Sequence, residues 1–456
     1  MLFQTWNFLA FFLPVLALYL LLRKTCLRIP LLLVASYVFY ACWDWRFPIF
    51  LLSITTADYF VGRGLERHRK GWLLGISLLL NLGVLCAFKY LGFLMENLQW
   101  LLEFCHIEAE LPEVEWLLPV GLSFFTFKSL SYTCDLSLGR GKCEHNYLAY
   151  AAYVAFFPQL VAGPIERATT LLPQLKHAMP LKADDLSLGF SVFLSGLFKK
   201  IVMADMLASY VDRIYDDPTS YGGAALLMAS YAFSWQIYFD FSGYSDMARG
   251  IARILGFRTP LNFDNPYASV DVRDFWRRWH ISLSSWFRDY VYIPMGGGRC
   301  IKLRVWWNLL VTMLVSGFWH GAAWTFLVWG GLNGVGSIIS SLFDKSRCYQ
   351  KIPKLLKELA VFQFITLTWV FFRAATFQDA FDVLRGILTW EEGEALFPWI
   401  PFALVLCTWI YGLLWTSRFQ EFLERRPCRI VATALAILLI LLLGAGANSQ
   451  FIYQQF

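Results

Sequence analysis

Two of the six histidines in this 456-residue chain lie where an imidazole could do chemistry. His320 falls in VSGFWHGAAWTFLVWGG, an otherwise apolar stretch, and His280 in FWRRWHISLSSWFRDY, rich in aromatic residues and arginine. Imidazole titrates near neutral pH, so either ring can act as a general base towards an attacking hydroxyl. Helical spacing puts Ser316, Gly317 and Trp324 on the face of His320, and Arg277 and Ser284 on that of His280. Gly317 and Gly321 remove side-chain bulk beside residue 320, so a substrate or a partner helix can come close. The competing reading of His320 is a hydrogen-bonded structural histidine in a helix bundle; that of His280 is an interfacial helix with an aromatic and arginine belt. His68, His106, His145 and His177 fall in predicted loops.

Arg277, Arg278 and Arg288 could hold the phosphates of a charged ligand, because guanidinium matches phosphate geometry. In WQIYFDFSGYSDMARG, Asp240 and Asp246 fall within or just beyond an apolar segment, and Arg249 is spaced to neutralise Asp246. Structural pairing is the favoured reading of these acids and a proton or ion relay the second. Lys199 and Lys200 are expected at a span end, snorkelling to the interface.

The elements that carry these residues must be membrane helices. The chain is 58% hydrophobic and 18% aromatic, with 16% charged residues, well below the roughly 25% of a soluble domain. Stretches such as 71–88 and 429–443 are too long and uniformly apolar for alternating barrel strands. The fold class is an all-α polytopic membrane protein with about 10–12 crossing or re-entrant segments. Their centres are expected in 1–22, 30–43, 47–61, 72–92, 117–133, 147–163, 187–210, 222–245, 305–320, 322–342, 359–373, 398–415 and 429–447. The stretch 117–133, with Pro119, Gly121 and Lys128, reads as re-entrant or interfacial, and 260–304 as short helices and turns. Residues 1–22 read as a retained first span, without the basic start and cleavage site of a signal peptide. The ten cysteines form no CxxC pair, so no metal site is expected, and the net charge of +6 gives no argument for nucleic acid.

Lys and Arg accumulate on the cytoplasmic side of membrane proteins. Loops 62–70, 345–357 and 418–429 are basic and read as cytoplasmic, whereas 95–116 and 376–397 are acidic and read as external. Alternation then puts both termini outside. A single domain over 1–456 is the simplest organisation: N-terminal spans 1–115, a motif-bearing core 116–345, C-terminal spans 346–447 and a tail 448–456.

Six blocks together resemble one family. They are PVGLSFFTFKSLSY (119–132), FFPQLVAGPIER (156–167), GLFKKIVMAD (196–205), IYFDFSGYSDMA (237–248), NPY with FWRRWHISLSSWFRDYVYIPMGG (265–297) and SGFWHGAAWTFLVWG (316–330). In this order they resemble the membrane-bound O-acyltransferases, specifically the bacterial alginate O-acetylation branch. The resemblance implies a helical bundle around a central funnel, with His320 near its narrowest point and His280 as a second functional position. It implies a bacterial inner-membrane enzyme that moves an acyl group, acetyl above others, from a cytoplasmic thioester such as acetyl-CoA to an exported polysaccharide. No permanently bound cofactor is implied; an SGNH-hydrolase-like periplasmic or surface transferase is the typical partner, and membrane lipid surrounds the bundle. The ending FIYQQF resembles a tail of such enzymes in which the tyrosine, here Tyr453, carries the acyl group as an ester. A transporter or flippase is the alternative, as is a family member that acylates a lipid or protein. Catalysis at residue 320 also requires a passage to it from water.

Overall fold

A computed structural model describes residues 1–444 apart from 69, 113–117, 344–345, 391, 395, 397–398, 400–401, 404–405 and 407–425. The described residues are helical, with an isolated bridge between Tyr221 and Glu394 as the extended pairing among them. In chain order the first helices are α1 (Trp6–Leu22), α2 (Arg28–Ala41), α3 (Phe47–His68), α4 (Gly71–Leu85), α5 (Leu91–Phe104), α6 (Leu122–Ser137), α7 (Tyr147–Val154), α8 (Phe157–Leu160) and α9 (Ala168–Lys176). They are followed by α10 (Ala183–Phe198), α11 (Asp205–Tyr215), α12 (Gly223–Ile254), α13 (Val272–Arg278), α14 (Ile281–Phe287), α15 (Lys302–His320) and α16 (Trp324–Phe343). The last are α17 (Arg347–Lys351), α18 (Lys354–Arg373), α19 (Phe377–Thr389) and α20 (Arg426–Leu443). Among the described residues, four helical stretches are long and apolar enough to cross a bilayer: 71–104, 183–215, 324–343 and 354–373.

Most of the expected segments that fall in the described residues recur as helices, with shifted ends. Helix α3 runs on to His68, through arginines that the charge pattern assigned to a loop. Charge ends the stretch that suits lipid, but it does not end backbone hydrogen bonding, and Arg67 and His68 complement the C-terminal end of the helix dipole. The expected span 147–163 is broken into α7 and α8. Helix α19 stands in the acidic stretch read as an external loop; Thr376 and Asp379 form a capping box at its start. Most of the expected segment 398–415 lies outside the described residues.

The contacts divide the chain into two compact units. One comprises residues 1–190 and 248–260, the other 191–247 and 261–456. The core of the first is aromatic around Phe8, Phe39 and Phe157, with a polar centre at Asp58. The Asp58 carboxylate is fully buried and accepts from Ser77 Oγ, Asn81 Nδ2 and Ser129 Oγ at 2.6, 2.7 and 2.5 Å, so α3, α4 and α6 are pinned together. Helix α6 starts at Gly121, whose φ of +76° and close approach to the Leu160 carbonyl exclude a side chain.

Both histidines belong to the second unit. Its centre is the antiparallel hairpin α15–α16, in which Gly317 and Met313 meet Gly330 and Leu310 meets Gly334. Such small residues let helix backbones touch, which supplies the dispersion contacts that association in lipid depends on. A Cβ on Gly330 would fall on the Met313 carbonyl oxygen, whereas one on Gly75 meets nothing within 4 Å. Gly330→Leu should therefore destabilise the protein by about 1–3 kcal/mol or more. Thermal unfolding of detergent-purified protein, with Gly75→Leu as a near-neutral comparison, checks this.

Candidate active site

Helix α15 ends on His320 itself. The chain turns at Gly321 (φ −156°, ψ 149°), and α16 begins at Trp324. Ser316 and Gly317 lie one turn before the imidazole, as expected, but Trp324 is beyond the break and half exposed. Its expected place on the face of His320 is thus corrected. Gly317 and Gly321 do make room, and what fills it is the chain's own α16: Phe326 packs where either Cβ would go.

The His320 ring is 3% exposed. Trp319, Trp329 and Phe372 surround it with ring centroids at 4.9, 5.1 and 5.5 Å, each crossing it steeply, at 70° to 89°. Trp369 stacks on Trp329 and touches Phe372, which completes an aromatic box from α15, α16 and α18.

His280 occupies a second backbone break. It stands between α13 and α14 at φ 42° and ψ 56°, a left-handed conformation uncommon for a residue with a side chain. Such backbone persists where surrounding structure over-determines it, and it clusters at functional sites. Arg277 therefore does not share a continuous helical face with His280, and that expectation is corrected. Ser284 keeps its i+4 relation through a 2.9 Å bond from its N–H to the His280 carbonyl. The imidazole is 1% exposed, packed against Phe241 and Phe263, with Nδ1 3.2 Å from the amide oxygen of Asn262. This segment lies outside the spanning helices, and burial pushes its pKa down from 6.5 to about 3, favouring neutral imidazole. Trp319 links the two histidines: its ring centroid is 4.9 Å from that of His320 and 6.4 Å from that of His280.

The arginines are distributed around α13 and α14. Arg277 is exposed; Arg278 pairs with Asp274 at 3.1 Å and Arg288 with Asp289 at 2.9 Å. Tyr453 and the FIYQQF tail lie outside the described residues.

Lys200 does not snorkel. Residues 199–204 form a π-helical turn, in which positions five apart align. Lys200 thereby meets Asp205 at 2.9 Å and also Asp240 on α12 at 2.8 Å, and the Lys200 and Asp240 side chains are each 1% exposed. Lys199 pairs with Asp246 at 2.7 Å. The structural-pairing reading of these acids holds, with lysines from another helix as the partners shown.

Sequence reasoning missed three buried polar groups. Asn262 is not visible as a partner of His280 because the two are 18 positions apart with no periodic relation. Asp58 is read over as one acid in an apolar helix. In the first unit, Lys128 Nζ donates to Gln159 Oε1 at 3.2 Å, and Gln159 Nε2 to Glu166 Oε2 at 2.5 Å, all three residues buried. Their signal was present: the three residues fall inside two of the motif blocks, amid apolar sequence.

Residues 73–372 match the model of MBOAT, the membrane-bound O-acyltransferase family. The chain belongs to this family. Among the membrane-bound O-acyltransferases it is 36% identical over 426 residues to a peptidoglycan O-acetyltransferase of Helicobacter pylori, covering 85% of this chain and 80% of that protein. It is 38% identical over 406 residues to a probable alginate O-acetylase of Pseudomonas aeruginosa, covering 86% and 76%. A teichoic acid D-alanyltransferase of Streptococcus thermophilus matches at 28% over 286 residues, 59% of this chain and 68% of the other. The protein is thus a multi-pass membrane enzyme of the O-acyltransferase class, and the transporter alternative falls away.

The Lys200 ammonium meets two carboxylates, and all three side chains are buried. Lys200→Met would remove the buried ammonium that both carboxylates meet, at a cost of about 3–5 kcal/mol. The expected result is a sharp fall in monodisperse protein after detergent extraction, followed by size-exclusion chromatography.

Proposed function

We propose that this enzyme transfers an acetyl group from a cytoplasmic thioester, acetyl-CoA, to an exported or cell-surface polysaccharide such as alginate or peptidoglycan. The observation that carries the reading is the meeting of His320 and His280 around Trp319, inside the stretch that matches the family. Acetyl is favoured over other acyl groups because the relatives named as O-acetylating cover far more of the chain than the D-alanyl-transferring one. The enzyme belongs in a bacterial inner membrane, with both termini outside by the loop charges.

In this reading His320 is the general base. As the acceptor hydroxyl oxygen attacks the thioester carbonyl, Nε2 or Nδ1 of the imidazole takes the hydroxyl proton. The C–S bond breaks, and the proton passes to the departing thiolate. Tyr453 is the proposed first acceptor. Its phenol is protonated near neutral pH, with an ordinary pKa of ~10, so it needs such a base. The aryl ester retains transfer potential because phenoxide leaves more readily than an alkoxide. An SGNH-like partner outside would then pass the acetyl group to the polymer. Arg277, Arg278 and Arg288 are proposed to hold the donor's phosphates.

The 3% exposure of His320 sets a condition on this mechanism. The mechanism requires that one of the imidazole's aromatic walls withdraw to admit donor and acceptor.

Two experiments test the reading. With radiolabelled acetyl-CoA and solubilised membranes, His320→Ala should lose at least about 100-fold in acetyl transfer. Transfer at the wild-type rate removes His320 from the mechanism, and no label on wild-type protein or polymer removes acetyl-CoA as the donor. Tyr453→Phe should abolish polymer acetylation while leaving the protein folded, as read by polymer-bound acetate and size-exclusion profile. Normal acetate content rejects the tyrosine carrier.

A further inference from the structure

The backbone break at His280 is closed by one side chain. Asn262 is 1% exposed and precedes α13 in the loop after α12. Its carbonyl oxygen accepts from Ile281 N–H at 2.9 Å, and its side-chain oxygen accepts from Ser282 N–H at 3.2 Å and Ser282 Oγ at 2.8 Å. On its other side Asn262 Nδ2 donates to Ser245 Oγ of α12 at 3.2 Å. These bonds fix which amide atom is which, because a backbone N–H can only donate: the atom facing Ser282 N must be oxygen. That same oxygen is 3.2 Å from His280 Nδ1. Facing an acceptor, a neutral imidazole must place its proton on Nδ1 and its lone pair on Nε2.

Among the described groups that face the ring are Phe241 of α12, Asn262 and Phe263 of the loop, Ser282 of α14 and Trp319 of α15. Among these the Asn262 oxygen is the group that dictates a tautomer, since the Ser282 hydroxyl, 3.5 Å from Nδ1, is already turned to Asn262.

We propose that Asn262 is the positioning residue of His280: its side-chain oxygen holds the proton on Nδ1 and the ring in place, so that Nε2 is the basic or hydrogen-bond-accepting nitrogen offered to the reaction. The inference rests on the reading that His280 serves acyl transfer. Aspartate keeps the acceptor, with the Ser245 hydroxyl rotating to donate to it, whereas leucine of similar size offers none.

The test measures kcat and donor KM with acetyl-CoA as probe, per amount of monodisperse protein. Asn262→Leu should lower kcat about 10- to 100-fold, the scale on which loss of an outer partner acts for a metal-bound histidine, with KM changed by no more than about twofold. Asn262→Asp should remain within about threefold of wild type, since the accepting oxygen is retained. In a His280→Ala background, Asn262→Leu should cost nothing further, because a residue acting only through His280 has no effect in its absence. Wild-type kcat in Asn262→Leu, equal damage in Asn262→Asp, or a further loss in the double variant each overturns the positioning role. Should the leucine variant fail to fold, or His280→Ala leave no activity to compare, the aspartate variant decides alone: retained turnover supports the role and lost turnover rejects it. Full activity in His280→Ala instead sinks the parent reading, and the two failures are thereby told apart.

Discussion

Lipid offers the backbone no hydrogen bonds, so any interruption of a helix at membrane depth must be repaired by protein groups or abandoned. In this chain both candidate histidines stand where one helix ends and the next has yet to begin. His320 closes α15, and the turn after it is bonded back from Gly321 N–H to the Gly317 carbonyl. His280 opens α14 in a left-handed conformation, and the loop from Asn262 to Asp264 repairs the gap by pairing with Ile281 and with the Arg278 carbonyl. The same requirement that makes breaks rare makes them stiff. A side chain at a repaired break is held by its backbone and by its packing, which is what a general base needs if its geometry is to be ready before substrate arrives.

Ionised groups obey a parallel rule. Lys200 meets two aspartates, the half-buried Lys199 pairs with Asp246, and the buried Arg28 guanidinium donates to the Leu175 carbonyl. Asp58 is balanced differently, by three hydrogen-bond donors from three residues. Such groups are costly to bury and gain specificity for the arrangement that satisfies them. They fix how helices meet where apolar side chains alone, sliding on one another and on lipid, would allow several registers.

How much of this could be read from the sequence follows from the range of each interaction. Helix positions were legible because apolar runs of suitable length are local, and α2, α15 and α16 begin or end within a few residues of expectation. Ends governed by capping were not: α3 runs past its arginines, and α19 arises where charge suggested only a loop. For the candidate site, residue type and motif brought His320 and His280 forward, and the break between His320 and Trp324 was hidden because helical periodicity assumes no break. Lys200 was misread because an α-helical count separates it from Asp205, and a π-turn brings them together. Asn262 was beyond reach, since nothing local announces a bond spanning 18 positions.

The Lys200 arrangement bears on how the chain is made. Presented alone to a translocon, a helix carrying an ammonium ion near its centre is disfavoured by roughly 2.5–3.5 kcal/mol, and an aspartate adds a comparable amount. The segment from α10 to α11 carries both, and its remaining counter-charge, Asp240, is synthesised 40 positions later. Insertion of this stretch is therefore best completed as a pair, with α12 emerging from the ribosome before its predecessor is released to the bilayer.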